Sequence, residues 1–89
     1  MSLVSDTDRE LRRVLADVLG LAPGQAERFT DASGLFGALP EFDSMALAGL
    51  LAEIEDRLGI RIEMDEIDGE LFATYGRLLG FAVAKREGA

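Results

Sequence analysis

Few residues in this chain have the types and spacing for chemistry, and the clearest is Ser44 in the run Phe42-Asp43-Ser44-Met45. A serine at the head of a helix, after a long loop and beside an aspartate, is expected to be exposed in the positive field of the helix N-terminus. That field, with the free N–H groups of the first turn, favours an attached phosphodiester. Asp43 is a strong N-cap residue, because its carboxylate accepts a first-turn N–H and so fixes where the serine oxygen points. Met45 is apolar and either steadies the serine or meets a partner. Asp-Ser at a helix start is most often capping alone, so the rest of the chain has to decide between the two readings.

The rival chemistries are poorly supplied. Ser44 as a hydrolytic nucleophile needs a base, yet His is absent and the single lysine, Lys85, is far along the chain. The chain has no cysteine, which excludes disulfides and thiolate metal sites. The acidic stretch Met64-Asp65-Glu66-Ile67-Asp68-Gly69-Glu70 has the look of a calcium loop. With Gly69 at the sixth position, however, Met64 and Tyr75 fall where the first and twelfth ligands belong, and neither can serve. Solvated acid is the better reading of that run. Phe29, Phe36, Phe42, Phe72, Tyr75 and Phe81 have the character of an acyl-pocket lining, but a plain hydrophobic core explains them better. Phe36 and Phe42 flank the serine's side of the loop, where a docking partner would arrive.

The elements that must position Ser44 follow from periodicity. Leu11, Val14, Leu15, Val18 and Leu19 form one helical stripe, with a capping box expected from Ser5 and Asp8 or from Thr7 and Glu10, and a stop at Gly20. From Leu21 to Asp43 runs a long crossover punctuated by Pro23, Gly24, Gly34, Gly37 and Pro40. Its Phe29, Leu35, Phe36, Leu39 and Phe42 should pin it to the core, since loops of this length are ordered when they pack or function. The second helix starts at Asp43-Ser44 and carries Met45, Leu47, Ala48, Leu50, Leu51, Ile54 and Leu58, a face broad enough to touch several neighbours, before Gly59. Ile60, Ile62 and Met64 alternate with Arg61 and Glu63 as a short extended link, and a brief helical turn is expected within 65–72. A last helix from about Thr74 turns Tyr75, Leu78, Leu79 and Ala82 inward and closes on Lys85 and Arg86, which suit the helix dipole.

The fold class is therefore all-α: three main helices plus a short helical turn, with a long ordered first crossover. One domain is expected over 1–89, ordered from about 6 to 84. The expected core is Leu11, Val14, Leu15, Val18, Leu50, Leu51, Ile54, Leu58, Ile62, Leu78 and Ala82. The 89 residues carry 17 acidic against 9 basic side chains, a net charge of −8. Such a surface repels nucleic acid and anionic lipid and suits basic faces on other proteins, although it also simply favours solubility. No apolar run reaches the roughly 18 residues of a membrane span. The acidic run from Asp6 to Glu10 stands where a secretory signal would be basic, which points to a cytoplasmic protein, expected to be monomeric.

Helix, crossover, Asp-Ser-Met, long second helix, short link and closing helix together resemble the acyl carrier protein family. The likeness runs from about Asp6 to Val83 and centres on Leu39-Pro40-Glu41-Phe42-Asp43-Ser44-Met45. It implies that Ser44 accepts a 4′-phosphopantetheine arm from coenzyme A through a phosphopantetheinyl transferase. The terminal thiol of the arm then holds acyl groups as thioesters for partner enzymes, an acyl-activating ligase or acyltransferase and synthase enzymes, while the carrier itself is no enzyme. A working thiol borne by the arm also accounts for the absence of cysteine. Met45 replaces the family's usual leucine. Glu41 stands where fatty-acid carriers have glycine, and Ala46 and Gly49 stand where they have docking acids. Docking would then fall to Glu41, Asp43, Glu53, Glu55 and Asp56, or to apolar contacts from Met45 and Leu47. Pro-Glu-Phe-Asp-Ser-Met, with Gly69-Glu70-Leu71-Phe72 later, is similar to the discrete carriers of bacterial exosortase and exopolysaccharide loci. The alternative is a helical interaction module in which Asp-Ser only caps a helix.

Overall fold

In the computed structural model, residues 2–88 are described, so both ends of the expected 1–89 span lie outside the described residues. Three α-helices follow in order: α1 over Leu3–Leu19, α2 over Ser44–Leu58 and α3 over Tyr75–Gly88. Short 3-10 turns occupy Ala26–Arg28 in the crossover and Met64–Glu66 in the second link. No strand forms among the described residues, only an isolated antiparallel bridge between Gly34 and Thr74. The all-α expectation holds, and the brief turn falls one residue ahead of the window expected for it.

α1 packs against both α2 and α3. Both α1 and α2 end on a glycine with positive φ, Gly20 at 65° and Gly59 at 66°, whose N–H groups donate to Ala16 O and Glu55 O. An L side chain resists that left-handed conformation, so these two positions stop their helices sharply.

The start of α1 differs from expectation. Its N-cap is Ser2, whose side chain accepts from Ser5 N at 3.0 Å. Thr7 is fully buried inside the helix: its hydroxyl donates to Leu3 O at 2.7 Å and accepts from Arg86 Nη1 of α3 at 3.0 Å. A hydroxyl satisfied in this way is a tie between two helices, not a cap.

The core is Leu11, Val14, Leu15 and Leu19 of α1, Leu50, Ile54 and Leu58 of α2, and Tyr75, Leu78 and Ala82 of α3, joined by Leu35, Phe42, Ile60, Leu71 and Phe72 from the connections. Val18, Leu51 and Ile62, expected at the centre, are only partly buried at its margin. Side chains from the connections, the rings of Phe42 and Phe72 among them, occupy the middle instead.

The crossover is ordered by definite bonds. Arg12 Nη1 of α1 donates to Ala26 O at 2.6 Å and to Phe29 O at 3.0 Å. The same guanidinium pairs with Asp8 at 2.9 Å and lies 4.6 Å from the Tyr75 ring centre. The Tyr75 hydroxyl donates to Asp8 Oδ1 at 2.5 Å. Farther along, Leu35 N donates to Ala73 O and Phe36 N to Phe72 O, while Tyr75 N and Gly76 N donate to Ser33 O and Asp31 O. The crossover carbonyls thus satisfy N–H groups at the start of α3 that the helix itself leaves open.

Candidate functional site

Ser44 is set by the residue on each side of it. Phe42, 4% exposed, is driven into the core, where its ring meets Phe72 at 5.6 Å and Phe36 at 5.3 Å, both edge-on. Its N–H donates to Leu39 O at 3.0 Å, closing a turn just before the helix. Asp43 then adopts an extended backbone, φ −107° and ψ −176°, and its Oδ1 accepts from Ala46 N at 2.8 Å. With Phe42 anchored inward and Asp43 capping, Ser44 becomes the first helical residue and its side chain is exposed. Its hydroxyl makes no hydrogen bond to any described residue.

The polar groups at this point suit a phosphodiester. Asp43 takes the Ala46 N–H, and Leu47 N donates to Asp43 O at 2.9 Å. The N–H groups of Ser44 and Met45 belong to the first turn, which the helix itself leaves open, at the positive end of the α2 dipole. A helix N-terminus of this kind favours a phosphate ester on the exposed Ser44 side chain.

The residues expected at a docking face are disposed unevenly. Met45 is 85% exposed, while Leu47 is half-buried against the core. Glu41 is turned partly inward: its Oε1 is enclosed and finds no hydrogen-bond partner among the described residues. Glu53 is held by Arg57 Nε at 2.9 Å, and Arg57 Nη1 also donates to Asp17 of α1 at 2.8 Å. These bonds, the one to Asp17 foremost, hold the Arg57 guanidinium above its usual basicity. Glu55 Oε2 accepts from Ile62 N at 2.7 Å, fastening the second link to α2. Asp56 is exposed. The structure also separates Phe36 from Phe42: Phe42 is core, whereas Phe36 is 49% exposed.

The other sequence candidates are accounted for structurally. Lys85, the conceivable base for Ser44, is paired with Glu66 at 2.7 Å, which holds the Glu66 carboxyl below the usual carboxylate range. In the acidic run, Asp68 Oδ1 accepts from Glu70 N and Leu71 N, and Glu70 pairs with Arg77 at 3.3 Å. No cluster of metal-ligating side chains forms among the described residues.

Comparison with known proteins agrees with this geometry. A family described as a phosphopantetheine attachment site matches residues 9–81, which takes in all of α2 and its approach. The chain belongs to that acyl carrier family. Comparison with curated protein sequences gives no match. Among solved structures, the chain is similar to a holo acyl carrier protein from Nitrosomonas europaea determined by solution NMR. That likeness has a TM-score of 0.79 and 30% sequence identity, over 92% of this chain and 96% of the other. The protein is thus a carrier whose prosthetic group is 4′-phosphopantetheine. Carriers of this family are generally not catalytic themselves, and they work with a phosphopantetheinyl transferase and biosynthetic enzymes. Among the described residues, no helix is long and apolar enough to cross a membrane.

Proposed function

We propose that Ser44 is the attachment residue and that the whole chain acts as one monomeric carrier domain. The observation that carries this is the placement of Ser44: exposed, first in α2 and capped by Asp43, within the matched span. In the transfer, the Ser44 Oγ–P bond forms as the pyrophosphate bond of coenzyme A breaks. Adenosine bisphosphate leaves, and the serine proton passes to the transferase. Asp43 keeps the helix end open toward the enzyme, and the Ser44 and Met45 N–H groups with the α2 dipole favour the phosphodiester once made.

The arm supplies a thiol that the chain lacks, and acyl groups ride on it as thioesters. The protein needs no catalytic group of its own, in keeping with the engagement of Lys85 by Glu66. An acyl-activating ligase, the partner class implied by the likeness to exopolysaccharide-associated carriers, would load it in the cytoplasm, where coenzyme A is made. The capping-only alternative is disfavoured by the exposed, unengaged hydroxyl.

Thioester loading tests this function. The arm-bearing protein, incubated with ATP, a fatty acid and an acyl-carrier ligase, should gain one acyl mass that neutral hydroxylamine removes. A hydroxylamine-stable adduct, or equal loading of Ser44→Ala, contradicts it.

A further inference from the structure

The approach to Ser44 is fastened by a residue far from it in sequence, Phe72 in the link between α2 and α3. Phe72 is 4% exposed, and its ring meets that of Phe42 edge-on at 5.6 Å. Phe42 in turn meets Phe36 at 5.3 Å. The circuit closes through the backbone, where Phe36 N donates to Phe72 O at 2.9 Å and Leu35 N to Ala73 O at 3.1 Å. Phe72 is itself fixed on both sides. Asp68 Oδ1 accepts from Leu71 N at 3.0 Å, Ala73 N donates to Glu70 O at 3.1 Å, and Gly34 bridges to Thr74.

Between Phe42 and Ser44 stands only Asp43, whose extended backbone and bond to Ala46 N at 2.8 Å start the helix. The direction in which α2 leaves the crossover therefore depends on where the Phe42 ring is held, and the buried Phe72 ring is a wall against which it rests. We propose that Phe72 is a positioning residue for arm attachment, acting through Phe42 and Asp43 to set the place of the Ser44 oxygen. The proposal rests on Ser44 being the attachment residue. Burial keeps Phe72 out of a partner's reach, so its effect has to pass through the fold. A displaced oxygen slows the transfer step even when the encounter is unchanged, because the attacking and attacked atoms must be held in near-attack geometry.

The test compares Phe72→Leu, which stays apolar and bulky, with Leu58→Ala at the opposite end of α2, where Leu58 is 5% exposed. Core truncation makes Leu58→Ala the less stable of the two. Arm transfer to each apo protein is followed with coenzyme A and a transferase of broad carrier range, at a temperature where circular dichroism shows both to be folded. Phe72→Leu should lower kcat about fivefold with KM within about twofold, a size that losing one edge-on ring contact allows, while Leu58→Ala stays within about twofold in both. Amide hydrogen exchange by NMR gives a second readout. Phe72→Leu should speed exchange at Ala46 N and Leu47 N, the two amides that Asp43 holds, and leave the middle of α2 as in wild type. Phe72→Met, which fills the space without a ring, carries the same expectations should Phe72→Leu not fold. Wild-type kcat and unchanged exchange at Ala46 in the folded variant overturn the proposal but leave the Ser44 assignment intact. So does an equal loss of kcat in Leu58→Ala, which would make the effect one of stability alone. Failure of the folded wild-type protein to be modified removes that assignment and the proposal with it.

Discussion

Asp43→Ala and Ser44→Ala should have opposite consequences although the two residues are adjacent. Asp43 Oδ1 holds Ala46 N at 2.8 Å, the side-chain cap of α2. Removing it returns one N–H to water at an exposed helix end and loses the attraction between a carboxylate and the helix dipole. Caps of this kind contribute about 1 kcal/mol, within a range of roughly 0.5–2, and the dipole share is already inside that figure. For a domain of this size, about 1 kcal/mol corresponds to a drop of roughly 4–8 °C in Tm. Ser44 has an exposed side chain bonded to no described residue, so Ser44→Ala should stay within about 0.5 kcal/mol of wild type. Asp43→Asn keeps the acceptor oxygen and should fall between the two. Urea unfolding followed by circular dichroism on the three variants, compared at equal m-value, measures this directly. A loss at Ser44→Ala as large as that at Asp43→Ala would refute the reasoning, because it would mean that the serine hydroxyl is part of the fold.

Other perturbations have equally definite outcomes. Gly76→Ala places a Cβ 2.8 Å from Asp31 O and 2.9 Å from Asp31 Cβ, so the crossover must shift off α3; a loss of about 2 kcal/mol in urea unfolding is expected, and a neutral result would deny the close approach. Burial, reinforced by its bond to Asp8, raises the Tyr75 phenol well above its usual range. A raised folded-state pKa gives stability that is complete below the unfolded value, about 10, and lost as pH rises beyond it; Tyr75→Phe should therefore flatten the alkaline limb of Tm against pH, and an unchanged limb would count against the assignment. The Glu66 carboxyl is lowered by its hydrogen bond to Lys85, so its contribution is present above the usual carboxylate range and fades as pH falls through the folded value. Glu66→Gln should then narrow the difference in Tm between neutral and acid pH, and a variant with the wild-type difference would show that the pair is thermodynamically idle.

Where the fold obeys local periodicity it was readable from sequence. Leu11, Val14, Leu15 and Leu19 of α1, Leu50, Ile54 and Leu58 of α2 and the Asp43 cap depend on residues three or four apart and appear as expected, whereas Met45 and Ala48 of the broad α2 face are exposed. What escaped depends on distant partners. Thr7 has the composition of a cap, but Arg86 arrives 79 positions later and converts it into a buried tie. Leu71 and Phe72 reach the core from a connection without a period, so no stripe announces them, while Val18, Leu51 and Ile62 lie at its margin. Met64 continues the alternation of Ile60 and Ile62 yet is 85% exposed, because the 3-10 turn begins there and ends the extended link. At the site, Asp43 and Ser44 were legible because helix starts have their own chemistry. The states of Glu53 and Glu55 were not, since Arg57's second bond to Asp17 and the Ile62 N–H depend on how α2 packs against its neighbours. No local pattern marks Arg12, which binds two crossover carbonyls 14 and 17 positions away while pairing with Asp8.

The central claim, that Ser44 bears the arm, is tested most directly by the intact mass of the apo protein before and after incubation with coenzyme A and a phosphopantetheinyl transferase. The account predicts a gain of one phosphopantetheine, mapped to the Ser44 peptide and absent in a folded Ser44→Ala protein. A gain that persists in Ser44→Ala, or no gain by a wild-type protein shown to be folded, would contradict it.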